Sequence, residues 1–234
     1  MFYKSAAFYD AIYSFKDYKV EAEKVRSFIE QYKRTPGNSL LEVACGTGKH
    51  IEFLREHYTI EGLDLDAGLL DIARERNRAI TFHQADMADF DLGKQFDALT
   101  CLFSAIGYVQ TVERLNQTIQ NFAQHLRSGG VAIVEAWLLP EQFNAGHLGA
   151  VFVDQPDLKL ARVNTSSLDG NISILHFHYL VGTPEGVTHF TEDHTLGLFT
   201  DAEYRAAFAA AGLELTIDIE GISGRNLYIG VKPA

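Results

Sequence analysis

The feature that most constrains this chain is a short apolar strand that runs without interruption into a glycine turn and then a helix. Residues 39–44 read as the strand, Cys45-Gly46-Thr47-Gly48 as the turn and residues 49–57 as the helix. The rhythm continues on both sides. Strands are expected at 59–65, 80–84, 96–103 and 131–137, and helices at 19–32, 67–77 and 112–126, the last stopped by Ser128-Gly129-Gly130. Strands and helices that alternate at this spacing form right-handed crossover units, which build one mostly parallel sheet with helices on both faces.

The alternation then breaks. Residues 138–199 hold no clear helix, but strand-like runs at 151–153, 172–181 and 187–199 are separated by Asp169-Gly170-Asn171 and Gly182-Thr183-Pro184-Glu185-Gly186. An antiparallel insertion is expected there. Thr200 then caps a helix over 201–211 that stops at Gly212, and strands over 213–220 and 226–231 close the chain as a hairpin. The expected fold is a single α/β domain with a mostly parallel seven-stranded sheet, a C-terminal antiparallel hairpin and an antiparallel β insertion. Its core spans about 35–137 and 200–232, in a chain of 234 residues that suits one domain.

Charge narrows the partners. Twenty Lys and Arg stand against 31 Asp and Glu, a net charge of -11, and such a surface repels a phosphate backbone. Nucleic acid is therefore not expected, although one local arginine can still bind a small anion. No apolar run approaches the roughly 18 residues of a membrane span. Met1-Phe2-Tyr3-Lys4 begins no apolar leader, so a cytoplasmic enzyme is expected. Cys45 and Cys101 read as small buried hydrophobes rather than a disulfide framework, and His189 and His194 fall on opposite faces of a strand, so no metal is expected.

Gly46 and Gly48 remove the Cβ atoms that would keep a ligand away from the backbone. Two glycines after a strand also serve ordinary tight turns, and His50 and Ile51 stand where a dinucleotide loop would place its third glycine. Three acids at strand ends add meaning. Glu42 can accept from the ammonium of a methionyl group, Asp64 from two ribose hydroxyls, and Asp86 from the exocyclic amine of adenine with Met87 beside the ring. Taken singly, Asp64 and Asp86 also fit as turn acids or helix caps. Together the three point to S-adenosylmethionine (SAM), with S-adenosylhomocysteine as product.

These residues, with Gln84-Ala85-Asp86-Met87 and the terminal hairpin, resemble the Rossmann-like class I SAM-dependent methyltransferases. A narrower resemblance runs nearly the whole chain. Tyr9-Asp10-Ala11-Ile12-Tyr13 with Lys16-Asp17-Tyr18, residues 43–48, His83 to Met87, Phe103-Ser104-Ala105-Ile106-Gly107-Tyr108, His189-Phe190 with His194, and Ser223-Gly224-Arg225 look like the desosamine and mycaminose type of dTDP-amino-sugar N,N-dimethyltransferases. The resemblance implies that Tyr13 and Tyr18 cover the cofactor, Tyr108 stands near the acceptor amine and Arg225 meets the nucleotide diphosphate. Ala44, Leu65 and Leu102 would complete the cofactor wall, and Ser104 the acceptor wall. Two departures touch the acceptor side: the 13–16 loop is shorter than in the sugar enzymes, and their Pro-Trp-Trp reads Ala136-Trp137-Leu138 here.

Tyr13, Tyr108 and His178 are the candidates for handling the amine proton. Each also has a plain packing reading; strand alternation puts His176 and His178 on one face, which could be pocket, dimer contact or solvent. Trp137 reads as core packing or as a stacking surface for substrate. The insertion's exposed edges call for cover, and a homodimer would supply it. The expected function is N-methylation of a small amino metabolite, foremost a nucleotide-linked amino sugar. Another small amine or hydroxyl acceptor, or a non-catalytic SAM-sensing module on the same fold, are the alternatives.

Overall fold

Neighbouring residues of the first strand pack into different cores, which sets the layers. In the computed structural model, which describes residues 4–234, a short helix α1 (Tyr9–Ile12) and a longer α2 (Tyr18–Tyr32) precede β1 (Ser39–Val43). Next come α3 (Lys49–Leu54), β2 (Thr59–Asp64), α4 (Ala67–Arg76), β3 (Thr81–Gln84), β4 (Phe96–Cys101), α5 (Val112–Gln124) and β5 (Leu126–Glu135). Leu40 joins the core formed with Val25 and Ile29 of α2 and Ile51 and Leu54 of α3. Leu41 and Val43 face the other core, built with Leu115, Ile119 and Phe122 of α5. A strand buried on both faces is mostly apolar, and β4 is buried at every position, Asp97 and Thr100 included.

Four long strands follow: β6 (Gly149–Gln155), β7 (Leu158–Asp169), β8 (Ile172–Thr183) and β9 (Gly186–Gly197). Then α6 (Asp201–Ala210), β10 (Glu214–Asp218) and β11 (Leu227–Val231) complete the chain. The main sheet has the order β10-β11-β5-β4-β1-β2-β3, and the pairs from β5 to β3 are parallel. β11 runs antiparallel to both β5 and β10. The insertion is a separate antiparallel sheet, β6-β7-β8-β9.

Two expectations need correcting. The helix expected to reach residue 126 ends at Gln124, and Ser128-Gly129-Gly130 lie inside β5 rather than in a turn before it. Gly129 has φ +78 and donates to the Lys232 carbonyl at 2.7 Å, so the glycines shape an irregular strand whose pairing with β4 shifts register between Phe96 and Ala98. The second correction is β7, a strand with no apolar alternation to announce it. Its buried positions include Leu160, Arg162 and Ser166, two of them polar, because this face looks into a cavity.

The N-terminal segment ties the sheets together. Ile12 packs with Val153, Leu160, Phe177, Tyr179 and Val181 on the inner face of the insertion. Glu192 of β9 accepts from the backbone N–H of Lys4 (2.8 Å) and Ser5 (3.0 Å) and from the Ser5 hydroxyl (2.6 Å), while Asp10 accepts from Thr47 Oγ1 at 2.7 Å. Of Met1-Phe2-Tyr3-Lys4, on which the expectation of no leader rests, the first three lie outside the described residues. Among the described residues no helix is long and apolar enough to cross a membrane.

Candidate active site

Parallel strands deliver their loops to one edge of the sheet, and here the insertion's inner face closes over that edge. The cavity between them measures about 990 Å³ and opens to solvent. Ala44, Gly46, Asp64, Leu65, Asp86, Met87 and Leu102 line its floor, and Tyr13, Ser104, Tyr108, Trp137 and Arg225 line its upper part. Ala44, Phe103, Ser104 and Gln110 are the described non-glycine residues with positive φ (54°, 52°, 62° and 64°), and all four line this cavity. Backbone strain of this kind persists where the surrounding structure imposes it, and it clusters at functional sites.

On the floor, Asp64 accepts from the Gly46 N–H at 2.7 Å through Oδ2 and from the Asp66 N–H at 2.9 Å through Oδ1. Burial raises its pKa, and these backbone donors oppose the rise. Each oxygen keeps a lone pair for a ligand hydroxyl. Gly46 has φ +55, and a Cβ built there would meet no protein atom within 4 Å. It borders a ligand space rather than a packed neighbour, as an adenosyl cofactor requires. Asp86 caps its own turn through the Ala88 N–H (2.9 Å) and pairs with Arg114 at 2.6 Å.

Three expected floor residues lie elsewhere. Gly48 (φ +71) faces α4, where a Cβ would strike Asn77 Nδ2 at 2.8 Å, and it is not among the residues lining the cavity. Glu42 is buried behind the loop, with Oε1 3.3 Å from His50 Nδ1 and Oε2 lacking a hydrogen-bond partner. His50 Nε2 is 2.9 Å from Glu21 Oε2, and Lys16 Nζ is 2.9 Å from Glu21 Oε1. Burial alone would lower the His50 pKa; hydrogen bonds to Glu21 and Glu42 overcome it and push the imidazole up to about 9. Tyr18 packs edge-on against His50, ring centroids 5.0 Å apart, instead of covering the cavity. In the sequence His50 stands out only, with Ile51, for occupying the place of a dinucleotide loop's third glycine. Its partner Glu21 is 29 positions away in the chain.

In the upper part, Tyr13 stands edge-on to Phe103 at 5.1 Å, and the Tyr108 hydroxyl is 2.7 Å from His194 Nδ1. Burial raises the Tyr108 pKa well above its ordinary value and lowers that of His194 to about 4. Both are therefore neutral near pH 7. Ser104 donates to the Ala136 carbonyl (2.7 Å) and accepts from Arg225 Nη1 (2.6 Å), and the guanidinium lies 4.9 Å from the Trp137 ring. Trp137 both faces the cavity and is anchored by Nε1 to Ser173 Oγ at 3.0 Å.

His178 does not belong here. It is exposed and stacks on His189 at 5.7 Å on the outer face of the insertion, because Leu175 and Phe177 are the residues of β8 that turn inward. His194, Arg162, Asn164 and Lys16 line the cavity and were missed as site residues. The inward register of β9 and the polar inner face of β7 place the first three, and neither is visible without strand pairing.

The sequence matches a methyltransferase-domain family over residues 40–130. It is 43% identical to the dTDP-3-amino-3,4,6-trideoxy-alpha-D-glucopyranose N,N-dimethyltransferase of Streptomyces venezuelae, over 92% of each chain. It is 40% identical to the dTDP-3-amino-3,6-dideoxy-alpha-D-glucopyranose N,N-dimethyltransferase of Streptomyces fradiae, covering 98% of this chain and 91% of that one. The chain belongs to the dTDP-amino-sugar N,N-dimethyltransferases. A SAM-bound amino pentose methyltransferase from Micromonospora echinaspora superposes on this sugar methyltransferase with a TM-score of 0.86 at 36% identity, over 97% of this chain and 95% of that one. The cofactor of this sugar methyltransferase is SAM, and membership of an enzyme family removes the sensing-module alternative.

Proposed function

We propose that this methyltransferase transfers methyl groups from SAM to the amino group of a dTDP-linked amino sugar in natural-product biosynthesis, acting as one catalytic domain. The observation that carries this reading is the single cavity that joins the Asp64–Gly46 floor to an aromatic upper wall holding Arg225. When bound, SAM supplies an electrophilic methyl on a sulfonium. Gly46 and Asp64 would hold its ribose and Asp86 with Met87 its adenine, with Ala44, Leu65 and Leu102 as the apolar wall. Glu42 and Tyr18 would act from behind through His50, and Gly48 by shaping the turn.

A neutral amine attacks without a strong base, so the protein's main task is alignment, which contributes up to roughly 7–11 kcal/mol in favourable intramolecular cases. Tyr13 and Tyr108 would frame the amine. Tyr108 stays a phenol and would orient the nitrogen lone pair, while neutral His194 holds the phenol in place. The methylated nitrogen becomes an ammonium and later releases its proton to solvent. Ser104 and Trp137 would position Arg225 against the diphosphate. Incubation with SAM and dTDP-3-amino sugars tests the reading: a dimethylated product is expected, and an inert amine in every sugar offered would overturn it.

The outer face of the insertion exposes Phe152 (74%), Val187 (72%), Leu180 (52%) and Val163 (45%), and we read it as the surface that a second copy covers. Cys45 and Cys101, both buried and unpaired, suit a reducing cytoplasm.

A further inference from the structure

We infer that Arg162 is a specificity-determining residue that reads a hydroxyl oxygen on the carbon next to the reacting amine, on the side away from the nucleotide. The inference rests on the amino-sugar reading above and adds which sugar is preferred. Arg162 lies on the inner face of β7, 8% exposed, and lines the cavity. Its Nη1 donates to the Tyr13 hydroxyl at 3.0 Å, and its guanidinium carbon sits 5.3 Å from the Tyr13 ring centroid and 4.6 Å from that of Phe177. Nε is buried without a hydrogen-bond partner, and among the described residues no carboxylate comes within ion-pair distance of the group.

A buried cation held by a phenol oxygen and two ring faces is under-compensated. An apolar side chain of similar volume would fill the same space at lower cost. What the arginine adds is donors, and with Nε sealed away, its terminal N–H groups are the ones left to meet an oxygen of the cavity's occupant.

The position of that oxygen follows from the two arginines. Tyr13 and Phe103 form a ring pair. Arg225 sits 6.0 Å from the Phe103 ring and 4.9 Å from that of Trp137, whereas Arg162 sits 5.3 Å from the Tyr13 ring. With the diphosphate drawn to Arg225, Arg162 meets the opposite edge of the sugar. For a 3-amino sugar linked through C1, that edge carries the C4 substituent.

The sugars named for the two relatives provide the comparison, because the 3,6-dideoxy sugar keeps an oxygen at C4 that the 3,4,6-trideoxy sugar lacks. A site built around a polar partner discriminates strongly against the analogue that leaves its donors unpaired. The wild-type protein should show kcat/KM higher by about 10–100-fold for the C4-hydroxyl sugar. Arg162→Met should abolish that preference by slowing the hydroxylated sugar alone, and Arg162→Lys should keep part of it. Dissociation constants for both sugars, measured calorimetrically with S-adenosylhomocysteine present, should follow the same ratio. The ratio cancels any loss common to both sugars, such as a disturbed Tyr13. Equal use of both sugars by the wild type, or an unchanged ratio in Arg162→Met, overturns this assignment alone. If the wild type neither binds nor methylates either sugar, the amino-sugar reading fails and this assignment falls with it.

Discussion

His50 and His194 are both buried imidazoles, and their surroundings push them in opposite directions. His50 lies between Glu21 and Glu42, beside Tyr18 and near Lys16, and its folded pKa of about 9 exceeds the ordinary 6.5. Its contribution to stability is therefore complete below pH 6.5 and is lost as pH rises toward 9. His194, lowered to about 4 chiefly by burial, behaves as the reverse: its contribution is present above pH 6.5 and is lost as pH falls toward 4. Urea unfolding across pH should show two limbs. His50→Gln should flatten the alkaline one and also lower stability near neutral pH, because buried Glu42 loses its cation while Glu21 keeps Lys16. An alkaline limb that survives the substitution would show that another group titrates there. Asp64 gives the simplest ligand prediction at this scale. Asp64→Ala removes both the proposed ribose acceptor and the anchor of the Gly46 N–H, so calorimetry should find SAM affinity lower by about 100-fold. An unchanged affinity would refute the ribose assignment.

Elements differ in how plainly their sequences announce them. α6 begins at a capping box in which Thr200 Oγ1 accepts from the Glu203 N–H (3.2 Å) and Glu203 accepts from the Thr200 N–H (2.7 Å). Thr200→Ala should cost about 1 kcal/mol in thermal or denaturant unfolding, with little change in catalysis. The loop between β10 and β11 is held more tightly than its glycines suggest. A Cβ on Gly221 (φ +50) would fall 2.0 Å from the Arg225 carbonyl oxygen. Gly221→Ala should move Arg225 and raise KM for the sugar while SAM affinity stays close to wild type; equal losses on both ligands would mean the strain spreads to the core. The central parallel strands were legible because both faces are largely apolar, and the Gly46 turn because a strand and a helix flank it. β7 was hidden for the converse reason: its inner face serves the cavity and carries Arg162, Asn164 and Ser166 where a core strand would carry leucines.

At the scale of the whole molecule, two sheets and one N-terminal segment enclose the chemistry, and the segment is pinned at both ends by Glu192 and Thr47. A second copy on the insertion's outer face would hide its exposed apolar row. Phe152→Glu combined with Leu180→Glu should shift light-scattering mass from dimer to monomer without altering SAM affinity, and a monomeric wild type at high concentration would discount the proposed interface. The sequence by itself determined the α/β layering and pointed to the methyl donor, because periodicity, glycine turns and strand-end acids are local properties of the chain, and its motifs carried the resemblance to the family. Only the tertiary structure decided that His178 faces outward, that Glu42 is occupied by His50, and that Arg162 and His194 reach the cavity. Those outcomes depend on which face of a strand pairs inward and on contacts between residues far apart in sequence, and neither is written in any one segment.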